Sequence, residues 1–250
     1  MVDLYHWEPN ADSLKLIIAL KEKNVPFQSR YVDLIALEHH GEAFKAAADG
    51  ARVPMLVDGE DAFTDSQLTL EYLAEAYEPW LAPSDPTGWY DVQAWTAQLD
   101  QALAANVRLL GWHTVTAPAM NEAQRADFLD RSGKLPAPAV AAGWAQVTSD
   151  AEASEDQLAN ARERIGPGVA KIETALASSD WLSGGAYSVV DINAFALTHT
   201  LPRLTPELVN EQRTPNMMAW LKRVGDRAAV KEALAMGRSK LGADMYAPAV

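Results

Sequence analysis

The periodicity of the chain changes once, and that change constrains the fold more than any other feature. Up to about residue 78, short β-rich runs alternate with helical spacing; beyond residue 88, strand signals nearly vanish. Val2–His6 reads as a first strand. Leu14, Ile17 and Ile18 then recur at helical spacing, with Leu16 and Leu20 as a second pair. Asn24 closes that helix and Pro26 prevents its continuing. Residues 27–32 alternate as a strand, residues 42–48 are weakly helical, and Val53-Pro54-Met55-Leu56-Val57 is a strand opened by proline. Asp58-Gly59 is a hairpin turn leading into residues 62–64, and Leu68, Leu73 and Tyr77 mark another helix. A βαβ half followed by a hairpin and a helix makes a compact α/β domain.

Three prolines and a glycine then crowd residues 79–88, which mark a stiff linker. After it, Trp95, Leu99, Ala102 and Leu103 lie on one helical face. Leu158, Ala161, Ile165, Ile172 and Leu176 line a longer helix, with a kink or break expected at Gly166-Pro167-Gly168. Met217, Trp220, Leu221 and Val224 define a clear amphipathic helix. Residues 117–155 are rich in Ala and Pro, with little periodicity, as suits an excursion over the surface or over a site. The expected organisation is an α/β domain over residues 1–78, a linker over 79–88 and an all-helical domain over 89–250.

Composition removes several function classes. There is no cysteine, which excludes disulfides, thiolate metal sites and a cysteine nucleophile. Acidic residues outnumber basic ones, 34 to 21, giving a formal charge of -13; that argues against nucleic acid and against an anionic membrane surface. No apolar run approaches the ~20 residues of a membrane helix, and the N-terminus does not read as a signal peptide, so a cytoplasmic location is expected. None of the five histidines has a metal-site spacing, and no metal is expected.

Three short features carry candidate chemistry. In Trp7-Glu8-Pro9-Asn10-Ala11-Asp12-Ser13, a strand leads into a loop and then a helix, with Asp12 or Ser13 as the expected cap. Ser13 would offer a hydroxyl beside a helix N-terminus, a place that favours an anion such as a thiolate. Val53-Pro54 is either a plain strand start or a cis peptide turning the Val53 backbone toward a ligand. Asp65-Ser66 is either a cap alone or a carboxylate and a hydroxyl placed for a ligand's ammonium and carboxylate. Ser188-Val189-Val190-Asp191 is a capping box and is structural.

In this order, followed by the linker and a helical domain, the three features resemble the glutathione S-transferase superfamily, as does the box from Tyr187 to Ile192. Within it the chain is similar to the bacterial β-etherases of lignin breakdown, in stretches such as Ser13-Leu14-Lys15, Val53-Pro54, Gly111-Trp112, Asp191-Ile192 and Thr214-Pro215. The resemblance implies a thioredoxin-like domain, an all-α domain and glutathione as co-substrate. Its thiolate would displace a phenolate from the carbon next to an aryl ketone. It also implies that Ser13 holds the thiolate, and that His40, Arg52, Val53, Pro54, Asp65 and Ser66 hold the rest of the tripeptide. Trp7, Trp112, His113, Trp144 and Phe195 are the candidates for an aromatic pocket. A dimer is implied, either of two identical chains or with a paralogue.

Three departures from the pattern matter. Asp12 stands where the related enzymes resemble Asn, and a carboxylate near the thiol would raise its pKa. Ala48-Asp49-Gly50-Ala51 replaces the usual Asn-Pro-x-Gly, and Asp65 is one methylene shorter than the usual Glu. A general detoxifying glutathione transferase and a non-catalytic partner subunit therefore stay open as alternatives.

Overall fold

The computed structural model describes residues 1–41, 44, 52–79, 81–82, 86–134, 152–183 and 185–238. Four strands form one sheet: β1 (Val2–His6), β2 (Phe27–Tyr31), β3 (Met55–Asp58) and β4 (Asp61–Phe63), in the order β2-β1-β3-β4. β1 runs parallel to β2, while β3 is antiparallel to β1 and to β4. The β3–β4 hairpin turns at Gly59, whose φ of 63° suits a residue without Cβ. This is the thioredoxin-like half that the resemblance implies.

Helix α1 (Ala11–Glu22) is the centre of the molecule. Every residue from Ser13 to Leu20 is buried, because the helix packs on α2 (Ser66–Ala76) on one side and on helices of the second domain on the other. Its two apolar sets, Leu14, Ile17 and Ile18 and then Leu16 and Leu20, are therefore two buried faces, and a helix apolar all round belongs in a core. Asn24 ends α1 with a φ of 53°; Val25 N–H donates to the Leu20 carbonyl at 2.9 Å and Asn24 N–H to Lys21 at 3.1 Å, a Schellman closure.

The second domain holds α3 (Pro86–Leu99), α4 (Ala105–Gly111), α5 (Glu122–Gly133), α6 (Glu155–Leu176), α7 (Val189–Thr198), α8 (Leu201–Leu204), α9 (Pro215–Gly225) and α10 (Ala228–Leu234). π-helical turns at Asp100–Ala104 and Trp112–Thr116 flank α4 and carry its axis onward. α1 packs against α7 and α10. Arg227 grips Glu22 through two bonds of 2.5 and 2.8 Å, and Lys21 meets Glu232 at 2.9 Å, so ion pairs border the apolar contact.

Several expectations change. Leu68 is 62% exposed, and α2 buries Thr69, Leu70, Leu73 and Ala74 instead; Tyr77 lies just past its end. α3 already starts at Pro86, inside the expected linker, because proline has no N–H to lose at a helix's first position. α6 does not break at Gly166-Pro167-Gly168. Pro167 sits on the solvent side of the helix, so the carbonyl that its missing N–H leaves unbonded need not be buried. Gly168 is a crossing point, since a Cβ there would stand 2.7 Å from Leu103 Cδ2. Part of the low-periodicity stretch forms α5, which buries Phe128. The expected helix at residues 42–48, except for Phe44, and the segment 135–151 lie outside the described residues.

Candidate active site

A cleft of about 540 Å³ opens between the two domains at the start of α1. The sheet domain contributes Trp7, Asn10, Asp12, Lys15, Asp65 and Ser66; the helical domain contributes Asp100, Arg108, Trp112, Val115, His199 and Arg203 among others. Two separated loops of the sequence, each the N-cap of a helix, thus meet on one wall.

At the first loop, Asn10 is the cap, which corrects the expectation of Asp12 or Ser13. Its side-chain oxygen accepts the Ser13 N–H at 2.9 Å. With Oδ1 occupied, the Asn10 amide group still has N–H donors for the cleft it lines. Ser13 itself is fully buried and does not line the cleft; its hydroxyl accepts from the Trp7 N–H at 3.3 Å. The groups that face the cleft at this helix start are Asn10, Ala11 and Asp12.

At the second loop, Asp65 caps α2. One oxygen, Oδ1, accepts from both the Gln67 and the Leu68 N–H at 2.9 Å, and Oδ2 has no hydrogen-bond partner among the described residues. Ser66 donates its hydroxyl to Asp12 Oδ1 at 2.7 Å, so the two loops are bonded to each other. Lys15 Nζ lies 3.5 Å from the same Asp12 oxygen and donates to Asn193 Oδ1 of α7 at 3.3 Å. Asp12 is therefore not an isolated charge at the helix start: a hydroxyl and an ammonium engage it, and its side chain is 62% exposed to screening water. Burial raises the Asp100 carboxyl, while Lys15 opposes that shift.

The other expected site residues are dispersed. His40 ends the 3₁₀ turn Glu38–His40, its ring 4.0 Å from the buried ring of His39. Burial, with a smaller effect from His40, lowers the His39 pKa to about 3. Arg52 is exposed, and Val53-Pro54 is a cis peptide leading into β3. None of these residues lines the cleft. Trp112 does, and packs on Phe128 at 5.6 Å. His113 is half-buried off the cleft, Phe195 stands in the core against His199 and Trp220, and Trp144 lies outside the described residues.

Sequence reasoning passed over Asn10, Lys15, Asp100, Arg108, His199 and Arg203. Lys15 left a signal: a lysine between Leu14 and Leu16 in an apolar helix needs a polar partner. Asn10 is hidden by the neighbouring cap formers Asp12 and Ser13, and Asp100, Arg108, His199 and Arg203 depend on how the second domain folds back, which no local pattern marks. Among the described residues, no group of His, Asp and Glu is placed to hold a metal, and no helix is long and apolar enough to cross a membrane.

Paired capped loops on a thioredoxin-like sheet, facing a helical wall, define a class: glutathione S-transferases. Two family models agree, one for the glutathione S-transferase N-terminal domain over residues 13–76 and one for the C-terminal domain over residues 135–228. Together they cover more than half of the chain, which belongs to the glutathione S-transferase family.

Within the family, one similar protein is Protein LigF of Sphingobium sp. strain SYK-6, 29% identical over 92% of this chain and 91% of that one. The crystal structure of β-etherase LigF superposes with a TM-score of 0.83 at 28% identity, over 94% of this chain and 98% of LigF. Mouse glutathione S-transferase theta-1 is 28% identical over 84% of this chain and 76% of its own length. A theta-class enzyme from Xanthomonas axonopodis pv. citri, solved with glutathione bound, shares the fold with a TM-score of 0.71 at 21% identity.

Proposed function

We propose that this chain cleaves the β-aryl ether bond of lignin-derived aryl ketones, with glutathione as co-substrate. The observation that carries the reading is the likeness to β-etherase LigF, which extends over 94% of the chain. In the reaction the glutathione thiolate attacks the carbon beside the ketone. A carbon–sulfur bond forms, the carbon–oxygen bond to the aryl group breaks, and its electron pair leaves on the phenolate oxygen. The adjacent carbonyl makes that carbon electrophilic.

In this reading residues 1–78 bind glutathione, residues 79–88 link, and residues 89–250 hold the ether. The sulfur sits at the N-terminus of α1, whose unpaired backbone N–H groups favour an anion. Asn10 donates there from the cleft wall, and Ser13 supports the same turn from beneath. Asp65 offers its Oδ2 to the γ-glutamyl ammonium, beside Ser66. His40, Arg52, Val53 and Pro54 take the far end of the tripeptide. Trp7 and Trp112 flank the aromatic rings; His113 and Trp144 belong to the wider pocket, and Phe195 backs it by stacking on His199 at 5.3 Å. The protein acts as a dimer in the cytoplasm. Ser66 and Lys15 engage Asp12, which supports the chain's own site, rather than that of a paralogous partner, as the catalyst.

The test is release of phenol from a β-aryl ether ketone by the purified chain, with and without glutathione, alone and co-expressed with a paralogue. Glutathione-dependent release by the chain alone is expected. Conjugation of a chloro-nitro-arene with no ether cleavage would instead establish a general transferase. Release only in the co-expressed form would make this chain the non-catalytic partner.

A further inference from the structure

Two deeply buried lysines mark the two ends of α1, and they are used differently. Lys23, the C-cap, donates to three backbone carbonyls: Ala74 at 2.9 Å, Pro79 at 2.7 Å and Tyr77. Three bonds exhaust an ammonium, so Lys23 is a structural tie. Lys15 has a side chain only 5% exposed, and its Nζ donates to Asn193 Oδ1 at 3.3 Å. Its other contact is with Asp12 Oδ1 at 3.5 Å, an electrostatic one. Among the described residues it is the one lysine that lines the cleft. The groups around it are mostly of opposite sign. Asp12 belongs to α1, Asp65 to the cap of α2 and Asp100 to the π-helical turn after α3. All three line the cleft, and Asp100 lies within electrostatic reach of Lys15 and of both other carboxylates. α7 meets Lys15 through the uncharged Asn193, and α10 lines no part of the cleft. His199, just past α7, is neutral at pH 7 because burial lowers its pKa to about 4. Arg108 and Arg203 come from α4 and α8 of the helical domain.

Resting on the placement of the glutathione sulfur at the start of α1, we propose that Lys15 is a positioning residue for the thiol chemistry. From within the cleft wall, its ammonium offsets the charge of Asp12 and Asp100, so that the sulfur stays a thiolate and its proton leaves to solvent. A carboxylate near a thiol opposes its ionisation, and a helix N-terminus favours it only modestly. The buried ammonium tips that balance, because a charge shielded from water is weakly screened. Lys15 does not touch the reacting atoms; it acts through the carboxylates beside it. Asn193 holds it in place, so the helical domain reaches the thiol site through α7.

The test is ultraviolet titration of the thiolate of glutathione bound to the protein, with binding followed by calorimetry. Lys15→Met is expected to raise the thiol pKa by about one unit, the low end of what one neighbouring charge does. Lys15→Arg, which keeps the charge, should raise it less. Asp12→Asn added to Lys15→Met should bring the pKa back toward the wild-type value, a rescue that damaged packing would not give. Should Lys15→Met not fold, Lys15→Gln keeps a donor for Asn193 and carries the same expectations. An unchanged thiol pKa in the neutral variant, a rise as large in Lys15→Arg, or no rescue by Asp12→Asn would overturn the proposal. If the wild type binds no glutathione, the proposal falls together with the site it rests on. Phenol release from a β-aryl ether ketone is measured alongside. Glutathione bound and ionised as expected, with no ether cleaved, defeats the β-etherase reading and keeps the role of Lys15.

Discussion

Two aspartates in this chain belong to the same kind of sequence feature, a helix start, and their fates differ completely. Asp191 sits in the capping box of α7 and is fully buried. Its Oδ1 accepts from the Leu182 N–H at 3.1 Å and from Trp220 Nε1 at 2.9 Å; its Oδ2 accepts from the Ser188 N–H at 3.1 Å. Asp65 caps α2 with one oxygen and keeps the other at the cleft. The lesson is one of hydrogen-bond valence. A carboxylate whose acceptor sites are all taken by its own chain is structural, and one with an oxygen to spare at a cavity can serve a ligand.

That contrast is breakable by mutation. Asp191→Ala strands three donors in the core and should cost about 3–5 kcal/mol, read as a large drop in thermal midpoint with glutathione affinity following only the loss of fold. Asp191→Asn, which keeps one acceptor oxygen, should cost less.

A second break uses acid. His199 is buried at the far end of α7, with Nδ1 at 3.1 Å from the Phe195 carbonyl, and burial lowers its pKa from 6.5 to about 4. The folded state therefore holds the neutral ring while the unfolded chain takes up a proton. This contribution is fully present above pH 6.5 and is lost as the pH falls toward 4, amounting to about 3 kcal/mol. Denaturant titrations from pH 7 to 4.5 should show that slope, and His199→Gln should flatten it.

Asp65→Ala should cost only about 1 kcal/mol of stability, the usual loss of a cap. Its glutathione affinity should nonetheless fall about tenfold or more, as for a charged contact removed. Asp65→Asn separates the roles: it keeps a capping oxygen and the stability, and loses the affinity. The smallest effect is expected for Ser66→Ala. It removes the hydroxyl bond to Asp12, should change stability by less than about 1 kcal/mol, and should raise the pH at which the cleavage rate climbs, because Asp12 then faces the thiol less engaged.

The fold was largely legible because its signals are local. Gly59, Asn24 and the Ser188–Asp191 box each act within a few residues, and each took the predicted place. Gly166-Pro167-Gly168 does not break the helix, and what Gly168 does is long-range: it lets Leu103 approach. The site was half legible. Asp12, Asp65, Ser66, Trp7 and Trp112 do line one cleft. Asn10 hid behind two equally good cap formers at Asp12 and Ser13, while Arg108 and Arg203 come from helices whose spacing says nothing of what they face.

The most direct test of the function is a product balance. The purified chain is incubated with glutathione and a β-aryl ether ketone, and phenol and thioether are quantified by mass spectrometry. One phenol per thioether, with sulfur on the carbon beside the ketone, is expected. Phenol released without a matching thioether, or no glutathione-dependent release at all, would contradict thiolate displacement in this cleft.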